Sequence, residues 1–334
     1  MPSSTGRTRA IKLAARDLRK VKKDLKAKPK GRQMQKKNAT IVLAQGAVAV
    51  PKKNFGTKAF KGNSARAMIK ALDARLPRTL GLPRAVGPST VIRTTRLISS
   101  SAKFVMFAPF YDTSVGKWLD WCGIESVVGT SDVTAASNTL PINMPLAHLE
   151  SACQIVPAAL TVQVMNAASL QSAMGVFAMT RVNQQLDLGS SVGISYDEMA
   201  ARVISFYSPR MLTGGKLSLR GVKCSAYPLD MSEYSDFASI VSNSGALTWD
   251  NSKRPSALSP IVIAQENTTS QALEYMVTIE WRVRFDPGNP ATASHTYHDS
   301  LPDAVWNDVI KMASAAGHGV EELSEDVAAA GEAI

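Results

Sequence analysis

The chain has 334 residues, 45% of them apolar and 19% charged, which is enough to bury a core and too hydrophobic for wholesale disorder. Its apolar residues come in short runs, none near the roughly 18 uninterrupted positions of a spanning helix, so no membrane span is expected. Charge divides the chain: residues 1–84 hold 23 Lys and Arg against Asp17, Asp24 and Asp73, and the remainder holds 15 basic against 24 acidic residues. A strongly basic segment thus precedes a mildly acidic body.

The first twenty residues have no apolar run between their charges, so no secretory signal is expected. Between them, Arg7, Arg9, Lys12, Arg16, Arg19, Lys20, Lys22, Lys23, Lys26, Lys28, Lys30, Arg32, Lys36 and Lys37 set fourteen cations against two acids, without an aromatic residue. Such a stretch cannot bury a core and reads as a disordered basic arm, residues 1–38, that binds phosphates through counterion release. Ile11, Leu18, Val21 and Leu25 would line one side of a helix if the arm orders on a polyanion. With no aromatic in the first fifty residues, it lacks the stacking platforms of sequence-tolerant single-strand readers and holds nucleic acid in bulk. Residues 39–88 contain the apolar insert ATIVLAQGAVAV, a strand candidate for pairing with another copy, and the Pro-rich entrance PRTLGLPRAVGP.

From residue 89 the signal is strands. TVIRTTRLI (90–98), AKFVMFAPF (102–110), AALTVQVM (158–165), MGVFAMTRV (174–182), RVISFY (202–207), KLSLRGVKCSA (216–226, Gly221 as a bulge) and IVIA (261–264) are all strand candidates. From 275 to 285 Tyr275, Val277, Ile279, Trp281, Val283 and Phe285 alternate with polar residues, so one face is buried. YDEMAARV (196–203) and SEYSDFASIV (232–241) are short helix candidates, and 113–150 and 227–258 read as long loops. Gly214-Gly215 reads as a turn before a strand. Without a regular strand-helix alternation, an antiparallel two-sheet sandwich of about eight strands over residues 89–288 is favoured. In the C-terminal extension, 289–334, Val305, Trp306, Val309, Ile310 and Ala313 share one helix face, with Ser300 and Asp303 available as caps, and an acidic tail follows. This helix is expected to dock on the body, because its polar face lacks the cations of a membrane-active peptide.

Catalytic and metal chemistry is not suggested. Cys122, Cys153 and Cys224 lack CxxC spacing and read as buried, reduced packing residues. The four histidines do not combine with cysteines or paired carboxylates, and no phosphate-loop, nucleophile-elbow or zincin motif is present. No enzyme and no cofactor are therefore expected. Structural calcium at subunit boundaries, near Asp230, Glu233 and Asp236 for example, stays an unplaced option.

AKFVMFAPFYD (102–112), ACQIVPAALTVQVMNAASLQSAMGVFAMTRV (152–182), YPLDMSEYSDF (227–237) and IEWRVRFDPGNPATASHTYHDSLPDAV (279–305) together resemble, in order, the shell domain of nodavirus-like, tombusvirus-related virus coat proteins; related coats occur in small single-stranded DNA viruses. The resemblance implies an all-β fold, an eight-stranded antiparallel jelly roll with short helical insertions. It also implies a major capsid protein that self-assembles into an icosahedral shell, T=3 in type, and packages a single-stranded RNA or DNA genome inside the virion. Asp112 is the nearest match to the aspartate that assists maturation cleavage in nodaviruses. Asn-Ala pairs occur only at 38–39 and 166–167, so no such cleavage is expected and Asp112 has an ordinary structural role. The other class compatible with the residues is a cellular nucleic-acid-binding protein with a β-sandwich and no shell.

Overall fold

The computed structural model describes residues 69–76, 81, 87–112, 117–126, 139–141, 153–184, 194–231, 235–243, 246–249, 258–265, 271–298 and 300–323, with 109–112, 117–126, 139–141, 240–243 and 246–249 as backbone only. All lie in the unit Ala59–Ile334. In chain order the strands are β1 Thr90–Ser100, β2 Phe104–Asp112, β3 Lys117–Ser126, β4 Thr139–Pro141, β5 Cys153–Met165, β6 Val176–Arg181, β7 Arg210–Thr213, β8 Val222–Ser225, β9 Ala238–Asn243, β10 Ala246–Trp249, β11 Ile261–Gln265, β12 Leu273–Phe285 and β13 Val320–Glu322. The helices are α1 Tyr196–Tyr207, α2 Gly214–Leu219 and α3 Asp303–Ala315, with a 3-10 turn at Pro290–Ser294.

Eight of these strands pair antiparallel as a folded ribbon: β1 with β12, β2 with β11, β5 with β8 and β6 with β7. Lateral pairing of β12 with β5 and of β11 with β6 completes two sheets, β1-β12-β5-β8 and β2-β11-β6-β7. First pairs with last, second with seventh, third with sixth and fourth with fifth, which is the winding of a jelly roll. The fold expected from the resemblance is the one observed. Around it, β3 and β4 extend the second sheet beside β2, β9 and β10 link the edges of the two sheets, and β13 lies on β8.

The period-two pattern of β12 forms as expected. Tyr275, Val277, Ile279, Trp281 and Val283 join Ile155, Leu160, Val162 and Val164 of β5 in the main core, with Phe107, Phe177 and Ile263 facing them from the second sheet. Pro157, which has no N–H to give the ladder, sits in central β5 where the register with β12 shifts between Glu280 and Trp281, so a bulge accommodates it. A second, smaller core forms on the outer face of the second sheet. There Tyr196, Met199 and Val203 of α1 pack on Phe104, Met106 and Val262, with the Phe104 and Tyr196 rings 5.6 Å apart. Ser195 caps α1 by accepting from the Glu198 N–H, and Ser208, at φ 43°, ends it.

Several elements differ from the sequence reading. RVISFY is the second half of α1, not a strand; its Val203 continues the apolar face begun by Tyr196 and Met199. The strand expected over 216–226 splits into α2 and β8, and Gly221, at φ +63°, is the left-handed residue between them. Gly214 opens α2 rather than a turn, and a Cβ there would strike the Met174 carbonyl. SEYSDFASIV contributes β9 instead of a helix, and the supposed loops 113–150 and 227–258 hold β3, β4, β9 and β10. α3 is docked as expected, with Trp306, Val309 and Ala313 in the main core, but Pro302 precedes it without a side-chain cap.

Candidate interface at the root of the basic segment

The fourteen cations from Arg7 to Lys37 lie outside the described residues. The described chain resumes with a helical turn at 69–71, and the residues after it are fastened to the outer face of the first sheet. The Ala74 N–H donates to Thr161 Oγ1 at 2.9 Å, and Thr161 Oγ1 meets Ser225 Oγ at 3.0 Å. Asp73, 5% exposed, accepts from Arg75 Nε at 2.8 Å and Nη2 at 2.6 Å and from Lys223 Nζ at 3.1 Å. Lys223 also lies 3.2 Å from Glu321 of β13. One buried lysine therefore ties the segment entering the body to the strand that leaves it. Burial alone would raise the Asp73 carboxyl, but the Arg75 hydrogen bond and the charges of Lys223 and Arg75 hold it below its ordinary value.

β13 is held a second way. Glu322 receives Arg210 of β7 at 3.1 Å, Arg220 at 3.2 Å, and Lys216 of α2, while Arg210 Nη1 donates to the Val320 carbonyl at 2.7 Å. Hydrogen bonds from Lys216 and Arg220 hold the Glu322 carboxyl below its ordinary value. Because β7 and β8 belong to different sheets, this cluster seals the sandwich edge between them.

Farther along the first sheet's outer face polar side chains pair across the strands, while Leu97 and Met276 stand exposed. Thr95 and Thr278 hydroxyls meet at 3.1 Å, Arg93 reaches Glu280 at 2.7 Å, and Arg282 Nε lies 3.6 Å from Glu280, with Glu280 and Arg282 both buried. Burial pushes the Glu280 carboxyl up, against the pull of Arg282 and Arg93. Arg181 is a third buried cation: it donates to the carbonyls of Ser225 at 3.1 Å and Ala313 at 2.7 Å and stands 4.9 Å over the Tyr227 ring. The sequence reading gave none of these groups a site role, and only their position on strand faces could have flagged them.

Burial pushes the Cys153 thiol up to about 11, with Asp286 adding to it, and that of Cys224 up to about 12, so neither is a thiolate at neutral pH. Both are buried and outside any disulfide, as expected; the Cys122 and Asp112 side chains lie outside the described set. His295 accepts from the Phe285 N–H at 3.0 Å, whereas His298 contacts the Ser89 carbonyl at 3.0 Å, so the pair does not converge. Among the described residues no group of three His, Cys, Asp or Glu could hold a metal ion, and no helix is long and apolar enough to cross a membrane. A cleft of about 700 Å³ lies between Gly87, Gln154, Arg284, Asp286, Thr292 and His295.

No protein-family model and no curated protein match the chain. Among solved structures it is similar to a chain of infectious bursal disease virus Gt strain, with 8% identity and a TM-score of 0.48 over 81% of this chain and 97% of that one. It is also similar to the 60-mer BFDV capsid protein, with 12% identity and a TM-score of 0.28 over 60% and 97% of the two chains. A third is a chain of the semi-empty virus-like particle of the giant freshwater prawn Macrobrachium rosenbergii nodavirus, with 10% identity and a TM-score of 0.27 over 64% and 93%. At these identities they carry no residue-level correspondence.

Proposed function

We propose that the chain is a virus coat subunit that assembles into a closed icosahedral shell and packages a single-stranded genome through Arg7–Lys37. The observation that supports this reading is the union, in one chain, of a jelly roll wound first strand to last with a segment of fourteen cations in front of it. Fourteen cations with no aromatic among them bind phosphate in bulk and ignore base and sugar, which suits a packaged genome rather than a specific site. Many copies of one subunit enclose a volume far larger than any subunit, because symmetry repeats one set of contacts. The buried carboxylates Asp73, Glu280 and Glu322 are each paired with cations of the body, so these three are not the basic segment's counter-charges.

The test is negative-stain electron microscopy of the expressed chain together with the 260/280 nm absorbance ratio, before and after nuclease. Uniform closed particles with nuclease-protected nucleic acid are expected. Small soluble species with nuclease-accessible, salt-labile nucleic acid would overturn the shell and leave a nucleic-acid-binding β-sandwich protein. Deleting residues 1–37 is expected to abolish packaging while the body keeps its β-sheet circular dichroism.

A further inference from the structure

Half of the large apolar side chains that stand exposed among the described residues gather at one end of the sandwich: Met165, Leu170, Met174, Val176, Met211 and Leu219. Leu170 and Met174 lie in the β5–β6 turn, residues 166–175, and are 58% and 62% exposed. Met165 lies on the outer face of the first sheet. Val176, opposite Thr213, and Met211, opposite Ala178, are diagonal neighbours on the outer face of the second. Leu219 ends α2, which is joined to the turn by Gly214 N–H to the Gly175 carbonyl and Asn166 N–H to the Leu217 carbonyl.

This end is also braced. Gln271 braces the turn from three directions: its Oε1 accepts from Met174 N and Asn166 Nδ2, and its Nε2 donates to the Ser172 carbonyl. Gly214 fits against the Met174 carbonyl, where a larger residue would push the turn away. A loop whose sole need is to connect two strands has no use for three side-chain braces beneath exposed methionine and leucine.

We infer that this end is a contact surface for a second copy of the chain. Residues 151–180 contain no charged residue, and the neighbouring Lys216 and Arg220 are engaged by Glu322, so the turn itself has no charge with which to hold a polyanion or an anionic lipid surface. The six side chains present on the order of 600 Å² of apolar surface, at the top of the range for a monomer's largest patch yet below the roughly 800 Å² per partner of a stable pair. Such a contact is too small to hold a dimer alone and is suited to one of several repeated contacts. The apolar residues wrap from the outer face of one sheet, over the tip, to the outer face of the other, so each copy presents two different flanks. The cations Arg210, Lys216 and Arg220, held by Glu322, form a polar border beside it.

This inference rests on the shell-forming reading and is tested so that the two can fail separately. Peroxide footprinting uses the unaltered protein, since the oxidant transfers one oxygen to an accessible thioether and leaves water. Oxidation of Met174 and Met211 is expected to slow at least tenfold in assembled particles relative to dissociated subunits; an unchanged rate overturns the inference. The double variant Leu170→Asp/Met174→Asp is expected to fold with an unchanged melting profile and to yield no closed particles; particles in normal yield overturn it, and a variant that does not fold leaves footprinting to decide. If the unaltered chain forms no particles, the shell reading has failed by itself. Sedimentation then decides: concentration-dependent self-association abolished by the double variant supports the surface, and identical sedimentation of the two proteins overturns it.

Discussion

Replacing Lys223 by Met removes the one cation shared by the entering segment and β13 while keeping the apolar stem that packs against the sheet. Breaking a buried ion pair outright costs about 3–5 kcal/mol, but Asp73 keeps its two short bonds from Arg75. The expected loss is therefore about 2 kcal/mol, or a melting temperature lower by roughly 4–8 °C for a body of this size. The two carboxylates should contribute unequally. Asp73 is buried and 3.1 Å from Lys223, whereas the Glu321 side chain is more than half exposed at 3.2 Å, where an ion pair contributes little. Double-mutant cycles by urea unfolding of dissociated subunits at neutral pH should give a coupling of about 1–2 kcal/mol for Lys223→Met with Asp73→Asn, and less than about 0.5 kcal/mol with Glu321→Gln. An unchanged urea slope would confirm that the effect is on stability and not on the extent of unfolding. A Lys223→Met protein within about 0.5 kcal/mol of the original, or stronger coupling to Glu321 than to Asp73, would refute the anchoring argument.

Asp73 and Glu322 both have folded-state pKa values held below their ordinary values of 3.8 and 4.5, so their contribution is complete above those values and is lost as pH falls through the depressed ones. Melting temperature should drop on acidification from about pH 5 to 3, and less steeply in Asp73→Asn or Glu322→Gln; an identical slope in both variants would contradict the pairing. Arg181→Met strands the buried carbonyls of Ser225 and Ala313, the latter at the C-terminal end of α3; after relief of the buried charge, a net loss of about 2 kcal/mol is expected in urea unfolding, with α3 protected less against hydrogen exchange. The glycines that open α2 should respond in opposite directions: Gly214→Ala drives a Cβ into the Met174 carbonyl and lowers the melting temperature, while Gly215→Ala meets nothing and should gain about 0.5–1 kcal/mol of helix stability.

The legible parts of the fold were those whose local pattern and buried face agree. β12 shows this best, since its alternation over 275–285 placed Trp281 and its neighbours in the core. Where the sequence reading failed, two periods overlapped. RVISFY has the β-branched and aromatic content of a strand, but Val203 also lies four residues after Met199, and the tertiary partner decided: the outer face of the second sheet offered Phe104, Met106 and Val262 to a helix stripe. In KLSLRGVKCSA the glycine separating helix from strand was read as a bulge within one strand, because a left-handed residue serves either purpose until its neighbours' pairing is known. β9 and β10 are short additions at sheet edges, where alternation over four to six residues is too brief to register.

Buried charge escaped the sequence reading for a different reason. Periodicity assigns Glu280 and Arg282 to the polar face of β12, and a polar face is read as a wet one, yet both are sheltered here, with Glu280 hydrogen-bonded to Arg93 and 3.6 Å from Arg282 Nε. No local pattern separates a carboxylate that meets water from one that meets a guanidinium brought from 187 residues away. The converse holds for the basic segment, which was legible because its cations have so few acids within reach along the chain. Inside the body, Asp73, Glu280 and Glu322 each gather two or three cations. From Arg7 to Lys37 fourteen cations meet two acids in sequence. These three carboxylates are therefore neutralised by cations that folding brings to them, whereas the cations of the segment have only Asp17 and Asp24 near them in sequence.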